Sequence, residues 1–342
     1  MAQATPLAAV FGCAGTALSD DERAFFRETN PLGLILFARN CETPDQIRAL
    51  ITDFCDTVGR GDAPALIDQE GGRVARLKPP HWRAAPPLGT FGKLAARSPK
   101  KAEEAARLNG RLIAAELHDL GITVDCAPVL DVPQPGAHDV IGDRAAGPSA
   151  DLAILVGRAT AEGLMAGGVL PVIKHIPGHG RANADSHKSL PVVETPAEDL
   201  AVEDFAPFRA LRSMPWGMTA HVLYRALDEH HPATTSHAII DSVIRDFIGF
   251  DGVLTTDDLS MEALDGTPKE RAEAALHAGC DIVLHCNGKM PEMQQVAEGC
   301  QPLSAHARER VARGENLRHA PEPFDRDAAQ ARLDELLAPK RR

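Results

Sequence analysis

Short apolar runs alternate with longer segments in which apolar residues recur every three or four positions, through most of this 342-residue chain. The short runs fall at residues 7–13, 33–37, 63–67, 123–127, 169–173, 217–221, 252–256 and 281–285, and they read as strands. Between most of them lie amphipathic helical patterns such as residues 101–120 and 152–166. Four helix starts pair a hydroxyl residue with proline: Thr43-Pro44, Ser98-Pro99, Thr195-Pro196 and Thr267-Pro268. In three of them Gln46, Glu198 or Glu270 follows the cap by three positions, which predicts capping boxes worth on the order of 1 kcal/mol each.

Eight strands alternating with helices admit a closed (β/α)₈ barrel or an open doubly wound sheet. No Gly-x-Gly-x-x-Gly follows the first strand and no glycine-rich phosphate loop with its lysine occurs, which disfavours the open sheet. The expected architecture is therefore α/β, a single TIM-like (β/α)₈ barrel over residues 1–342. A helical tail is expected from about residue 322, with its helix at residues 325–337 and a basic end beyond.

Composition narrows the function classes. The apolar share of 44% suffices for a large core, and the net charge of −12 argues against a nucleic-acid partner, which calls for an excess of Lys and Arg. The seven cysteines are scattered without a Cys-x-x-Cys pair, so buried thiols in a reducing compartment are expected. Residues 6–14 are apolar but short, with no basic residue before them, and read as a first strand. No stretch approaches the roughly 18 apolar residues of a membrane span. A cytoplasmic monomer without a membrane partner is expected.

In a barrel, the residues just past the strands' C-terminal ends converge on one mouth. Here the third run leads into Asp68-Gln69-Glu70-Gly71-Gly72-Arg73-Val74-Ala75-Arg76, and the fourth into Pro128-Val129-Leu130-Asp131 and a loop holding Gly142-Asp143-Arg144. The fifth ends in Lys174-His175, the sixth in His221, the seventh in Thr256-Asp257-Asp258 and the eighth in His285-Cys286-Asn287. After Lys174-His175 comes Ile176-Pro177-Gly178-His179-Gly180, then Asp185-Ser186-His187, a glycine-rich loop carrying an Asp/His pair. Such a mouth suits a polyhydroxylated ligand: Asp68 accepts hydroxyl protons, while Arg76, Arg144 and Lys174 donate. The competing reading of the same charges is an ion-pair network that stabilises the strand tips. Zinc ligation by His175, His179, His187 and Asp185 is disfavoured by their spacing across a loose loop, and no metal or cofactor is expected.

Six segments in order carry a family resemblance: residues 33–40 (Gly-Leu-Ile-Leu-Phe-Ala-Arg-Asn), 68–74, 127–132 (Ala-Pro-Val-Leu-Asp-Val), 174–187, 218–221 (Met-Thr-Ala-His) and 257–261 (Asp-Asp-Leu-Ser-Met). The chain resembles glycoside hydrolase family three, and within it the single-domain bacterial β-N-acetylglucosaminidases. The resemblance implies a retaining exo-glycosidase that removes terminal β-linked N-acetylglucosamine from cytoplasmic muropeptides during peptidoglycan recycling. It assigns Asp257 as nucleophile, with its neighbour Asp258 turned away, and His187 as general acid/base steered by Asp185. Asp68, Arg76, Arg144, Lys174 and His175 match substrate-contacting positions. Two-domain members take their acid from a domain after the barrel; with little following residue 337, it is expected here from the barrel, on a loop made mobile by residues 177–180. Phosphorolysis of the same substrate, and a non-catalytic sugar-binding protein on the same barrel, stand as the alternatives.

Overall fold

The structure, a computed structural model, describes residues 4–136, 138–182, 184–186 and 188–338. Eight parallel strands close into a barrel in chain order: β1 (Leu7–Phe11), β2 (Pro31–Leu36), β3 (Ala65–Ile67), β4 (Val124–Asp125), β5 (Leu170–Ile176), β6 (Trp216–Thr219), β7 (Val253–Asp258) and β8 (Ile282–His285). The ring shuts where β1 pairs with β8, Val10 beside Leu284 and Phe11 beside His285. Each expected run coincides with one barrel strand.

Alternation along the strands divides the core in two. Ala8, Val10, Leu66, Val124, Val172, Trp216, Met218, Val253 and Leu284 fill the barrel interior. Their neighbours Ala9, Phe11, Leu34, Ile67, Ile173, Leu254 and Val283 pack outward against the helices. The helix Arg326–Leu337 of the tail lies on Pro99–Leu120, with Leu333 and Leu336 in a common apolar cluster and Arg332 paired to Glu104 at 2.7 Å.

Local details depart from expectation in three places. The full capping box forms at Thr267 but not at Thr43, where Gln46 turns instead to the Glu42 N–H. The helix Ala197–Val202 starts one residue late, with Pro196 as its cap, so Thr195 caps nothing; an unforeseen box forms at Ser19 and Glu22. A larger departure concerns residues 177–180, expected to be a hinge. Those residues are buried: the His179 N–H reaches Asp131, the Tyr224 hydroxyl donates to the Gly178 carbonyl, and the Gly180 carbonyl accepts from Gln134. A Cβ on Gly180 would sit 2.0 Å from the Val132 carbonyl oxygen. Glycine is there for close approach between the loops that follow β4 and β5.

Two slips of register shape the mouth. On β5, Lys174 pairs with Met218 and Ile176 with Thr219, so an extra residue is accommodated between them. On β7, Thr255 pairs with Ile282 and Asp258 with Leu284, again gaining one residue. Irregularities of this kind re-aim side chains that regular pleating would send to opposite faces. Consecutive residues, Lys174 with His175 and Asp257 with Asp258, accordingly line one pocket. The expectation that the fifth strand stops at residue 173 is corrected for the same reason: the strand continues through the bulge to Ile176.

Candidate active site

At the C-terminal end of the barrel lies a pocket of about 220 Å³ lined by Asp68, Arg76, Arg144, Lys174, His175 and Asp257, together with Asp258, His179, Met218 and Phe37. Its volume is below the roughly 300–1,000 Å³ of pockets for drug-sized ligands and suits a single small ring. A larger concavity of about 870 Å³ opens at the other end of the barrel, around Ala8, His277, Asp281 and His306. It gathers none of the strand-tip residues, so the smaller pocket is the one of chemical interest.

One wall is a chain of alternating charges. Arg76 donates to Asp68 at 2.8 Å, Lys174 Nζ bridges Asp68 at 2.8 Å and Glu70 at 2.6 Å, and Arg144 grips Glu70 through two bonds of 2.8 and 2.9 Å. The expected sugar-binding residues and the competing ion-pair network are therefore the same object. Burial alone would raise the Asp68 and Glu70 pKa values, yet Lys174 with Arg76, and Lys174 with Arg144, hold both carboxyls below their ordinary range. Lys174 is only 2% exposed, whereas Arg76 and Asp68 at 22% and 14% offer more of themselves to a ligand. The Arg76 guanidinium also lies 4.6 Å over the Phe37 ring, which restricts its swing.

Asp257 stands opposite. Its Oδ1 accepts the Asp258 N–H at 2.8 Å, and its Oδ2 lies 3.9 Å from His175 Nε2. Burial works against its charge, but His175, His221, the Asp258 N–H and Lys174 together keep its pKa below the usual carboxylate value. Asp258 is occupied elsewhere: it accepts from the Ser260 N–H and hydroxyl and from the Cys286 N–H, and so ties the turn after β7 to the tip of β8. The expectation that it turns away is corrected in part: it lines the pocket beside Asp257, while its carboxylate is spent on this turn. Burial pushes His221 below the usual imidazole range; its ring bridges the Thr234 hydroxyl and the Asp258 carbonyl.

Two carboxylates outside the expected set are integral to the pocket. Glu70 links Lys174 to Arg144, and Asp131 binds the His175 ring. Glu70 could have been suspected from its place two residues after Asp68, on the same side of an extended segment. Asp131 sits in an otherwise apolar run, which was a signal of a required charge.

The expected Asp/His pair is only partly in view. Asp185 lines a shallow depression beside the pocket, which shares Arg144, Val74 and Val140 with it. Its carbonyl accepts from the Lys188 and Ser189 N–H groups and closes a turn. His187 lies outside the described residues. Its neighbour Ser186 is buried on the pocket wall, bonded to His179 Nε2 at 3.3 Å and through its carbonyl to the Ala263 N–H. Burial lowers the His179 pKa to about 4, so that ring is neutral at ordinary pH. Among the described residues no group of three or more His, Cys, Asp or Glu is arranged to hold a metal, and no helix is long and apolar enough to cross a membrane.

Residues 7–314 match the model of the glycosyl hydrolase family 3 N-terminal domain. The chain is 41% identical to a β-hexosaminidase of Bordetella parapertussis over 280 residues, covering 80% of this chain and 78% of that one. To a β-hexosaminidase of Methylobacillus flagellatus it is 39% identical over 309 residues, 89% and 87% of the two chains. Its fold superposes on native NagZ from Neisseria gonorrhoeae with a TM-score of 0.87 at 30% identity, over 99% of this chain and 100% of that one. The same Neisseria protein in complex with N-trifluoroacetyl-D-glucosamine matches with a TM-score of 0.87 at 29% identity, over the same shares of the two chains.

Proposed function

The chain belongs to glycosyl hydrolase family 3, and from that premise we propose that it removes terminal β-linked N-acetylglucosamine by a retaining mechanism through a covalent glycosyl-aspartate. It is a glycoside hydrolase, a β-N-acetylhexosaminidase like its relatives. The observation that carries the mechanistic reading is Asp257: an ionised carboxylate, 19% exposed, facing the rim formed by Asp68, Arg76, Arg144, Lys174 and His175.

In this reading Asp257 Oδ2 attacks the anomeric carbon while protonated His187 donates to the glycosidic oxygen, which leaves with the aglycone. The acetal C–O bond breaks as the ester to Asp257 forms. His187, now neutral, takes a proton from water, whose oxygen attacks the same carbon and releases Asp257 as a carboxylate. Two inversions retain configuration. Imidazole titrates near pH 6.5, so one group can serve both steps, and Asp185 steers its tautomer. The charged wall holds the ring hydroxyls and the N-acetyl group. A pocket sized for one ring supports exo cleavage of a terminal sugar, and muropeptides are the substrate class consistent with the family. Seven free cysteines support action in a reducing cytoplasm.

Incubation with a 5-fluoro N-acetylglucosaminyl donor, followed by peptide mass spectrometry, is expected to find the label on Asp257. A label on another carboxylate, or sugar 1-phosphate as the product in phosphate buffer, overturns the assignment or the hydrolytic outcome respectively.

A further inference from the structure

We infer that Asp131 is a positioning residue for this reaction, setting the tautomer of His175 and thereby what faces the Asp257 carboxylate; the inference rests on the glycosidase reading above. The segment after β4 stays bonded alongside β5: Lys174 N–H donates to the Pro128 carbonyl and Leu130 N–H to the Lys174 carbonyl. That carries Asp131 to His175, with no exposed surface of its own. Its Oδ1 accepts the His175 and His179 N–H groups at 3.1 and 2.7 Å, and its Oδ2 meets His175 Nδ1 at 2.7 Å.

Burial would raise the Asp131 pKa, but His175, bonded to it, and the His179 N–H bring it to about 2, so the group is a carboxylate and only accepts. Nδ1 of His175 must then carry the proton, and in the neutral ring Nε2 presents a lone pair. Nε2 stands 3.9 Å from Asp257 Oδ2, beyond hydrogen-bond length, so that oxygen remains available for attack. The opposite tautomer would aim an N–H at Oδ2 and engage the very lone pair the reaction uses. The Asp131–His175 pair thus has the carboxylate–imidazole arrangement by which a triad aspartate fixes its histidine. None of this involves the Asp185 and His187 loop.

The isosteric variant Asp131→Asn separates the roles. Its amide oxygen still accepts the two backbone N–H groups, while its NH₂ faces Nδ1 and calls for the other tautomer. Nitrogen-15 NMR of the histidine-labelled full chain is expected to show Nδ1–H for neutral His175 in the wild type and Nε2–H in the variant. With an aryl β-N-acetylglucosaminide, kcat is expected to fall roughly a hundredfold, less than the ~10⁴ lost when a triad imidazole that moves the proton is mis-set. In a His175→Gln background Asp131→Asn should cost almost nothing further. Wild-type Nε2–H, an unchanged tautomer in the variant, or an equal loss with and without His175 each overturns the proposal. If the wild type turns over no N-acetylglucosaminide, the functional reading falls, while the NMR arm still decides whether Asp131 sets His175.

Discussion

Glu70→Gln is the sharpest test of the charged wall. Glu70 is 2% exposed and joins Lys174 Nζ to the fork of Arg144. With Asp68 and Arg76 the group holds three cations and two carboxylates; the substitution removes one carboxylate and raises the net charge from one positive to two. Breaking a buried pair from one side costs roughly 3–5 kcal/mol, and because the amide oxygen still accepts one bond, about 3 kcal/mol is expected. Unfolding entropy of about 2.1 cal/mol/K per residue gives a 342-residue chain about 0.7 kcal/mol/K, so Tm should drop by about 4 °C near neutral pH. The pH dependence has a definite sign. Lys174 and Arg144 lower the folded Glu70 pKa against the opposing effect of burial, so its contribution is whole above the unfolded value of 4.5 and fades as pH falls below it. Calorimetry should therefore show the gap between wild type and variant narrowing in acid. Turnover of an aryl β-N-acetylglucosaminide should show a raised KM, since Lys174 and Arg144 lose their common anchor. A variant with wild-type Tm and KM would refute the view that this chain of charges organises the pocket.

Asp257→Ala is expected to lower hydrolysis by several orders of magnitude, and His187→Ala likewise with poor leaving groups. The His187→Ala loss should shrink with acidic phenols, measured as kcat/KM against leaving-group pKa; near wild-type rates in both variants would end the assignment. Gly180→Ala drives a methyl into the Val132 carbonyl and should destabilise by about 1–3 kcal/mol, read as a lower Tm; an unchanged Tm would show that the two loops are not in close contact. Burial raises the Asp125 pKa to about 7 against the bond it accepts from the Gln69 N–H, so the native state loses stability as pH climbs from 3.8 through 7. Asp125→Asn should therefore gain in Tm relative to wild type across that range, and a flat difference would contradict the raised pKa.

The strands were legible because each is a run of neighbouring apolar residues, a signal local to five or so positions. The tip residues were legible for the same reason: Asp68, Lys174, His175 and Asp257 interrupt or follow such runs, and the structure gathers them around one pocket with Arg144 from the loop after β4. Asp131 acquires its meaning from His175, 44 positions away, and Glu70 from Lys174, 104 positions away; no local pattern encodes those meetings. The slips on β5 and β7 are properties of paired strands and so are invisible in either strand alone. Glycines at 178 and 180 read as looseness, yet the partner that requires the missing side chain is Asp204 in one case and Val132 in the other.

The two slipped strands flank β6 on either side, which has a bearing on how such a catalyst can be altered. Asp257 and the His175 imidazole beside it owe their aim to the path of the main chain, which an exchange of residues at the rim leaves in place. Attempts to retune which sugar is accepted have the best purchase on the segment between 138 and 146, Arg144 apart, where the backbone is not woven into the ring. The seat of Asp257 is cast in the frame; selectivity is the part left open to revision.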